Sequence, residues 1–332
     1  MRRRDFIMVL GGAAATWPLA AHAQQQAKMK RIAIVSPALK IGDIGLNGSR
    51  PYRIFFEELR RLGFDEGRNL LVERYSGEGR GERYAELARD VVNTHPDLIY
   101  SQTHRFALLF KAATATIPIV TTTGDPLAGG LVSSLARPGG NITGVSVVGT
   151  DVVGKRLALL LEATSKLSNA RYLVSQRSWD EGSGVAVREA SRRLGILLAG
   201  EPMSSFSEQE YQRLFTSMEH AQVDGILVSD EAEHFTYREL LVELAARARI
   251  PAMYAYREPV ELGGLMAYSI DLAEVFRGNA SQVAEILRGA NPGDVPFRQA
   301  TKFQLVINVR AAKALRLEMP SALLLRADEV IE

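Results

Sequence analysis

The sequence predicts an α/β protein made of two doubly wound, Rossmann-like lobes. Three observations carry this expectation. Short apolar runs of strand length alternate with segments of helical period, the pattern of a parallel sheet covered on both faces. The alternation restarts near residue 154. At 332 residues, 46% hydrophobic and 23% charged, the chain can bury two ordinary cores without disulfides or metals.

The elements follow in order. Arg31 to Val35 is an apolar run stopped by Ser36-Pro37, which reads as a buried strand. Tyr52, Phe55, Phe56, Leu59 and Leu62 fall on one face of a helix, and Gly63 is placed to end it. Leu70 to Tyr75 is a second strand. Tyr84, Leu87, Ala88, Val91 and Val92 repeat the helical spacing until His95-Pro96. A strand at Asp97–Tyr100, a helix from Phe106 to Thr114, a strand at Ile117–Thr121 and, after the loop Ala136–Asn141, a strand at Ile142–Val148 complete the first unit.

The second unit opens with a helix carrying Leu157, Leu160 and Leu161 and a strand at Tyr172–Ser175. Helices at about 185–194 and around Tyr211–Met218 precede a strand at Gly225–Ser229. A helix around Leu240–Leu244 and a strand at Ala252–Tyr256 come next. A strand at Gly263–Ile270, a long amphipathic helix from Leu272 ending at Gly289, a strand at Phe303–Val309 and a helix at Ala311–Leu317 follow. Leu323–Glu332 reads as a polar-ended tail.

Composition removes whole classes of chemistry. There is no cysteine, so disulfides, thiolate metal sites, thiol nucleophiles and lipid anchors on cysteine are excluded. The formal charge of +2 comes entirely from Arg2, Arg3, Arg4 and Asp5, which leaves residues 24–332 neutral and nucleic acid an unexpected partner. Residues 1–23 have a basic start, an apolar Ala-rich stretch and Ala21-His22-Ala23 before Gln24, the layout of a cleaved export signal. The paired arginines with Phe6 and Ile7 resemble the twin-arginine form of such signals. Gly11, Gly12 and Pro18 interrupt this stretch and oppose a membrane span. The expectation is a soluble, exported, periplasmic protein.

Catalytic and nucleotide motifs fail on inspection. Gly149 to Arg156 comes within one residue of a phosphate-binding loop, but Arg156 stands where Ser or Thr must ligate magnesium. Gly77-x-Gly79-x-x-Glu82 follows a strand, yet an acidic residue replaces the last glycine of a dinucleotide fingerprint, so a flexible turn is expected. His95, His104, His220 and His234 show no metal-ligand spacing, and no nucleophile elbow is present. No catalytic residue, metal or cofactor is expected.

Long segments resemble bacterial ABC-transporter substrate-binding proteins of the branch that includes tryptophan- and tyrosine-binding members. They are RIAIVSP (31–37), GRNLLVERYSGEGRGERYAELARDVV (67–92), IPIVTTTGDPLAGGLVSSLARPGGNITGVS (117–146), GKRLALL (154–160), GGLMAYSIDLAEVFR (263–277) and TKFQLVINVRAAKALRLEMPSALLLRADEVIE (301–332). The resemblance implies a type I periplasmic-binding fold with three crossings, near Gly144–Val148, Ala267–Ile270 and Arg298–Lys302. It then implies one lobe of 28–146 plus 271–298 and another of 147–268 plus 301–332. It also implies a small-molecule ligand between the lobes, an ABC permease as partner, and a monomer.

In doubly wound sheets ligands sit beyond the carboxyl ends of strands. That rule selects Ser36, Ser101, Gln102, Thr103, Thr122, Thr123 and Asp125 on the first lobe. On the second it selects Gln176, Ser178, Ser229, Asp230, Tyr256 and Arg257. Hydroxyls beside helix N-termini suit a carboxylate, and Asp125 or Asp230 an ammonium, which together would suit an amino acid. The same residues equally suit plain helix capping. Relatives often have a small loop where this chain has Ser101-Gln102-Thr103-His104-Arg105, so His104 and Arg105 point away from an aromatic ligand and toward a more polar or anionic one. The expected function is an extracytoplasmic receptor for an importer. The rivals are an exported ligand sensor and an exported hydrolase, which would need a convergent acid/base pair.

Overall fold

The computed structural model describes residues 29–147, 150–203 and 205–332. The expected export signal lies outside the described residues, as do Val148 and Gly149 of the loop that resembles a phosphate-binding one.

The first half contains β1 (Lys30–Ser36), α1 (Arg50–Arg61), β2 (Leu70–Ser76), α2 (Tyr84–Asn93), β3 (Leu98–Gln102), α3 (His104–Ala113), β4 (Ile119–Thr123) and β5 (Ile142–Ser146). Gly63, at φ 91°, lets the chain reverse after α1, with Gly63 N–H on Arg60 O and Phe64 N–H on Leu59 O. The chain continues through α4 (Thr150–Thr164), β6 (Asn169–Ser175), α5 (Gln176–Asp180), α6 (Ser183–Leu194), β7 (Leu197–Met203), α7 (Glu208–His220) and β8 (Gly225–Val228). Next come α8 (Ala232–Thr236), α9 (Arg238–Ala248), β9 (Ala252–Tyr254), α10 (Glu258–Glu261), β10 (Met266–Ile270) and α11 (Leu272–Leu287). The last elements are β11 (Arg298–Gln299), β12 (Phe303–Asn308), α12 (Val309–Ala314), α13 (Ser321–Arg326) and β13 (Glu329–Ile331).

Two sheets result, with strand orders β11-β5-β4-β3-β1-β2 and β13-β12-β10-β9-β8-β6-β7. Within each, the first strand has the second on one side and the third on the other. The winding therefore reverses between β1 and β3, and again between β6 and β8. All pairs are parallel except β10 with β12. The chain passes from one sheet to the other after β5, after β10 and between β11 and β12, with α11 returning to pack on α1 and β5.

Each sheet has a core on both faces. On one face of the first, Phe55 stacks on Tyr100 at 4.6 Å while Phe276 of α11 meets Tyr52 edge-on at 5.2 Å. On the other face Tyr84 stacks on Phe106 at 4.3 Å. Separate buried clusters cover the two faces of the second sheet.

Two of the features that differ from the sequence reading lie at the edges of the second sheet. The stretch Leu197–Met203 forms β7, an edge strand paired only with β6; its half-exposed pattern and Pro202 hid the strand period, and an edge position tolerates both. The tail is not merely a polar end: it forms α13 and then β13, a short strand parallel to β12, with Asp328 accepting the Leu305 N–H at 2.8 Å. An edge strand needs no apolar alternation, so nothing in its pattern announced it.

Gly144 of β5 faces Thr121 of β4 so closely that a Cβ there would lie 1.8 Å from the Thr121 carbonyl oxygen. Gly144→Ala is therefore expected to destabilise the protein by about 3 kcal/mol through overpacking. The fall in urea midpoint measures it, and an unchanged midpoint would contradict the packing described.

Candidate ligand-binding cleft

The turn after β2 lies against α8, and His104 after β3 comes near Arg177 after β6, so the carboxyl ends of β1, β3 and β4 look toward those of β6, β8 and β9 across a crevice of the kind where doubly wound sheets bind ligands. On the first lobe Ser36 ends β1, and its buried Oγ accepts the Leu39 N–H at 3.1 Å. Ser101, also buried, donates to Thr121 Oγ1 at 3.3 Å. Gln102 closes β3 with its amide nitrogen buried and unpartnered. Thr103, at φ 79°, caps α3 by accepting the Phe106 N–H. Thr122 accepts from Asn279 at 2.7 Å, and Thr123 Oγ1 lies 3.0 Å from His104 Nδ1. Asp125 accepts the Leu127 and Ala128 N–H groups in a turn. Thr103 and Asp125 are thus engaged in capping, while Gln102 keeps free donor capacity.

On the second lobe the candidates converge on a residue that the strand-end rule stopped one position short of selecting. Glu231 accepts from Ser175 N–H at 2.8 Å, Ser178 Oγ at 2.8 Å and Ser229 Oγ at 2.7 Å. His234 Nε2 stands 3.5 Å from the same carboxylate, an electrostatic contact outside hydrogen-bond geometry. Burial alone would push the Glu231 carboxyl up. The adjoining His234 ring and the bonds from Ser175 and Ser229 outweigh it and hold the group low, at about 2. Ser178 and Ser229 are therefore brought together, by a half-buried acid that pins the loops after β6 and β8.

Gln176, Asp230, Tyr256 and Arg257 do not join that network. Exposed Gln176 bonds Asp180 on its own helix. The Tyr256 hydroxyl donates to the Asp230 carbonyl at 2.7 Å, leaving the exposed Asp230 carboxylate outside this bond. Arg257 is paired with Glu261 at 2.9 Å and with Glu329 at 2.9 Å, so its guanidinium is already satisfied within the second lobe.

The lobes touch at the rim. The glycine turn at 77–81, after β2, lies against α8 of the other lobe. A Cβ on Gly79 would meet Thr236 Oγ1 at 2.5 Å, and one on Gly81 would meet Arg105 Nη1 at 2.4 Å and Glu233 Oε1 at 3.3 Å. Arg105 lies over the Tyr84 ring at 5.1 Å. Burial raises the pKa of Glu233 and outweighs nearby Arg105, which favours its charged form. The His104 pKa is lowered, by burial and then by the positive Arg177 of the opposite lobe. At the crossings, a cavity of ≈ 20 Å³ lined by Arg50, Glu258, Asp271 and Gln304 among others has room for about one water. The arrangement is a closed one, with side chains of both lobes across a narrow gap and backbone in place of side chains at its lip.

Glu231, Glu233, Tyr84 and the buried Arg156 were not selected from sequence. Glu231 was within reach, since it follows Ser229 and Asp230 directly at a strand end. The others acquire a role only through the opposite lobe or a distant carbonyl.

A family described as ABC transporter substrate binding protein matches residues 51–331. A tyrosine-binding protein of Clostridioides difficile is 24% identical over 274 residues, covering 81% of this chain and 77% of the relative. The fold is similar to that of a conserved domain protein from Vibrio cholerae, with TM-score 0.79 and 24% identity over 91% of this chain and 100% of the other. It is also similar to an ABC domain in complex with L-Trp from Streptococcus pneumonia, with TM-score 0.78 and 22% identity over 91% and 99% of the two chains. Two parallel-sheet lobes with facing strand ends, and a family match across most of the length, establish that this chain belongs to the ABC transporter substrate-binding proteins and has their type I periplasmic-binding fold.

Proposed function

We propose that this protein is the extracytoplasmic receptor of an importer, which closes on a small organic ligand of amino-acid character and delivers it unchanged to a membrane permease. One observation carries the reading: polar strand ends of two lobes face each other across a gap. Ser101, Gln102 and Thr123 lie on one side, and the Glu231-pinned Ser178 and Ser229 on the other, with Arg105 and Glu233 approaching Gly81 from opposite lobes at the rim. Groups contributed by both lobes favour the closed form when ligand is present, which is what closure requires. The tyrosine-binding relative and the L-Trp-bound neighbour support an amino acid over a sugar. Among the described residues no helix is long and apolar enough to cross a membrane.

The test is thermal denaturation of the purified protein against the common amino acids and their carboxylate relatives. A true ligand at about 100 times its Kd is expected to stabilise by about 2.7 kcal/mol, which raises Tm by roughly 4 °C in a chain of this size. Absence of any stabilising compound, or release of a chemically altered product, would refute the receptor reading.

A further inference from the structure

Arg156 sits in the second turn of α4 and is 8% exposed. Its Nε donates to the Tyr268 carbonyl at 2.8 Å and its Nη2 to the Ala255 carbonyl at 3.4 Å. Parallel pairing matches Ala267 with Tyr254, so these two carbonyls stand one step further on, where β9 has ended and β10 continues toward the first lobe. That is the carboxyl edge of the second sheet, at the inner end of the cleft. Among the described residues no carboxylate lies within 4.0 Å of this guanidinium. Other arginines of the same lobe differ: Arg171 is paired with Glu201, and Arg257 with Glu261 and Glu329.

A guanidinium removed from water without an anion loses several kcal/mol of solvation that two carbonyls repay only in part. Its planar fork is matched to a carboxylate, and Nη1 has no bond in the structure. The surroundings are polar and aromatic. Arg156 and Asp230 act with opposite sign on the phenols of Tyr172 and Tyr256, so this cation and this acid share an aromatic wall without pairing. A charge held in place with its donors unspent is the arrangement expected where the missing anion arrives with the ligand.

We propose that Arg156 is the anion anchor of the cleft and that the ligand presents a carboxylate to it. This rests on the solute-receptor reading and narrows it to anionic or zwitterionic ligands. The competing role is structural, a clamp joining α4 to the ends of β9 and β10.

The probe is acetate, titrated against chloride at equal ionic strength with Tm as the readout. Wild-type protein is expected to gain Tm with acetate, and Arg156→Gln, whose amide can still donate to a carbonyl, to bind acetate at least ten-fold more weakly while keeping its circular dichroism. Should Arg156→Gln fail to fold, Arg156→Lys retains charge without the fork, and at least three-fold weaker acetate binding is expected. No acetate response in the wild type, or an equal response in the folded variant, overturns the anchor. Failure of the receptor reading looks different, because it is read from the amino-acid titrations of the wild type. An amino acid that binds wild type and Arg156→Gln alike would sink the anchor and leave the receptor standing.

Discussion

Gly79→Asn is expected to hold the two lobes apart and to weaken ligand binding by about 10- to 100-fold. Gly79 has φ 69°, a backbone conformation that asparagine tolerates better than other side chains, so the local cost is modest and equal in open and closed forms. The collision is confined to closure. A Cβ would stand 2.5 Å from Thr236 Oγ1 and 3.1 Å from its Cβ, and Thr236 cannot simply turn away because its hydroxyl is bonded to Ala232 O at 3.2 Å. Overpacking of this kind costs about 1–3 kcal/mol, which appears as lost affinity because only the closed form bears it. Small-angle scattering should show a larger radius of gyration for the variant in the presence of ligand. Identical scattering and affinity in the two proteins would mean that the glycine turn does not meet α8 in the bound state.

Glu231→Ala should destabilise the second lobe strongly, with a loss of about 3 kcal/mol at neutral pH. Removing the carboxylate strands the Ser175 N–H and the Ser178 and Ser229 hydroxyls and leaves His234 without its acidic neighbour. The pH dependence supplies an independent check. The Glu231 carboxyl is held at about 2, against an ordinary value of 4.5. A depressed carboxylate pKa contributes stability that is present above the unfolded value and disappears as pH falls through the folded one. The gap corresponds to about 3 kcal/mol, so wild-type stability should decline by that amount between about pH 5 and pH 2. In Glu231→Ala this part of the decline should be missing. Parallel acid profiles in the two proteins would show that Glu231 is not the charged hub described here. If the Glu231 network also positions Ser229 for ligand, Glu231→Ala will weaken binding even where the lobe remains folded.

Much of the architecture was legible in the chain itself, because period and punctuation are local properties. Ile32 to Val35, all fully buried, could be read as a two-sided strand from four successive apolar residues, and Gly63 and Gly289 marked helix ends by the backbone freedom they supply. The strand-end rule also brought Ser178 and Ser229 to notice, since both lie where a parallel sheet exposes its carboxyl edge. The edge strands of the second sheet were not legible. β7 and β13 are stabilised by one neighbour apiece and need no periodic apolar face, so their sequences carry no strand signal.

The chain alone therefore determined that there are two doubly wound units, which family they resemble, and which strand ends carry hydroxyls. Tertiary structure decided which of those groups remain available. Asp125 and Thr103 cap their own turns, Arg257 is consumed by Glu261 and Glu329, and Glu231 gathers three donors from two loops. It also turned Gly79 into a contact surface and left Arg156 buried with no acid paired to it among the described residues. The reason is separation along the chain. A hydrogen bond or a clash between residues dozens to more than a hundred positions apart depends on how two sheets are joined and how they face each other, and no short window of sequence encodes that distance.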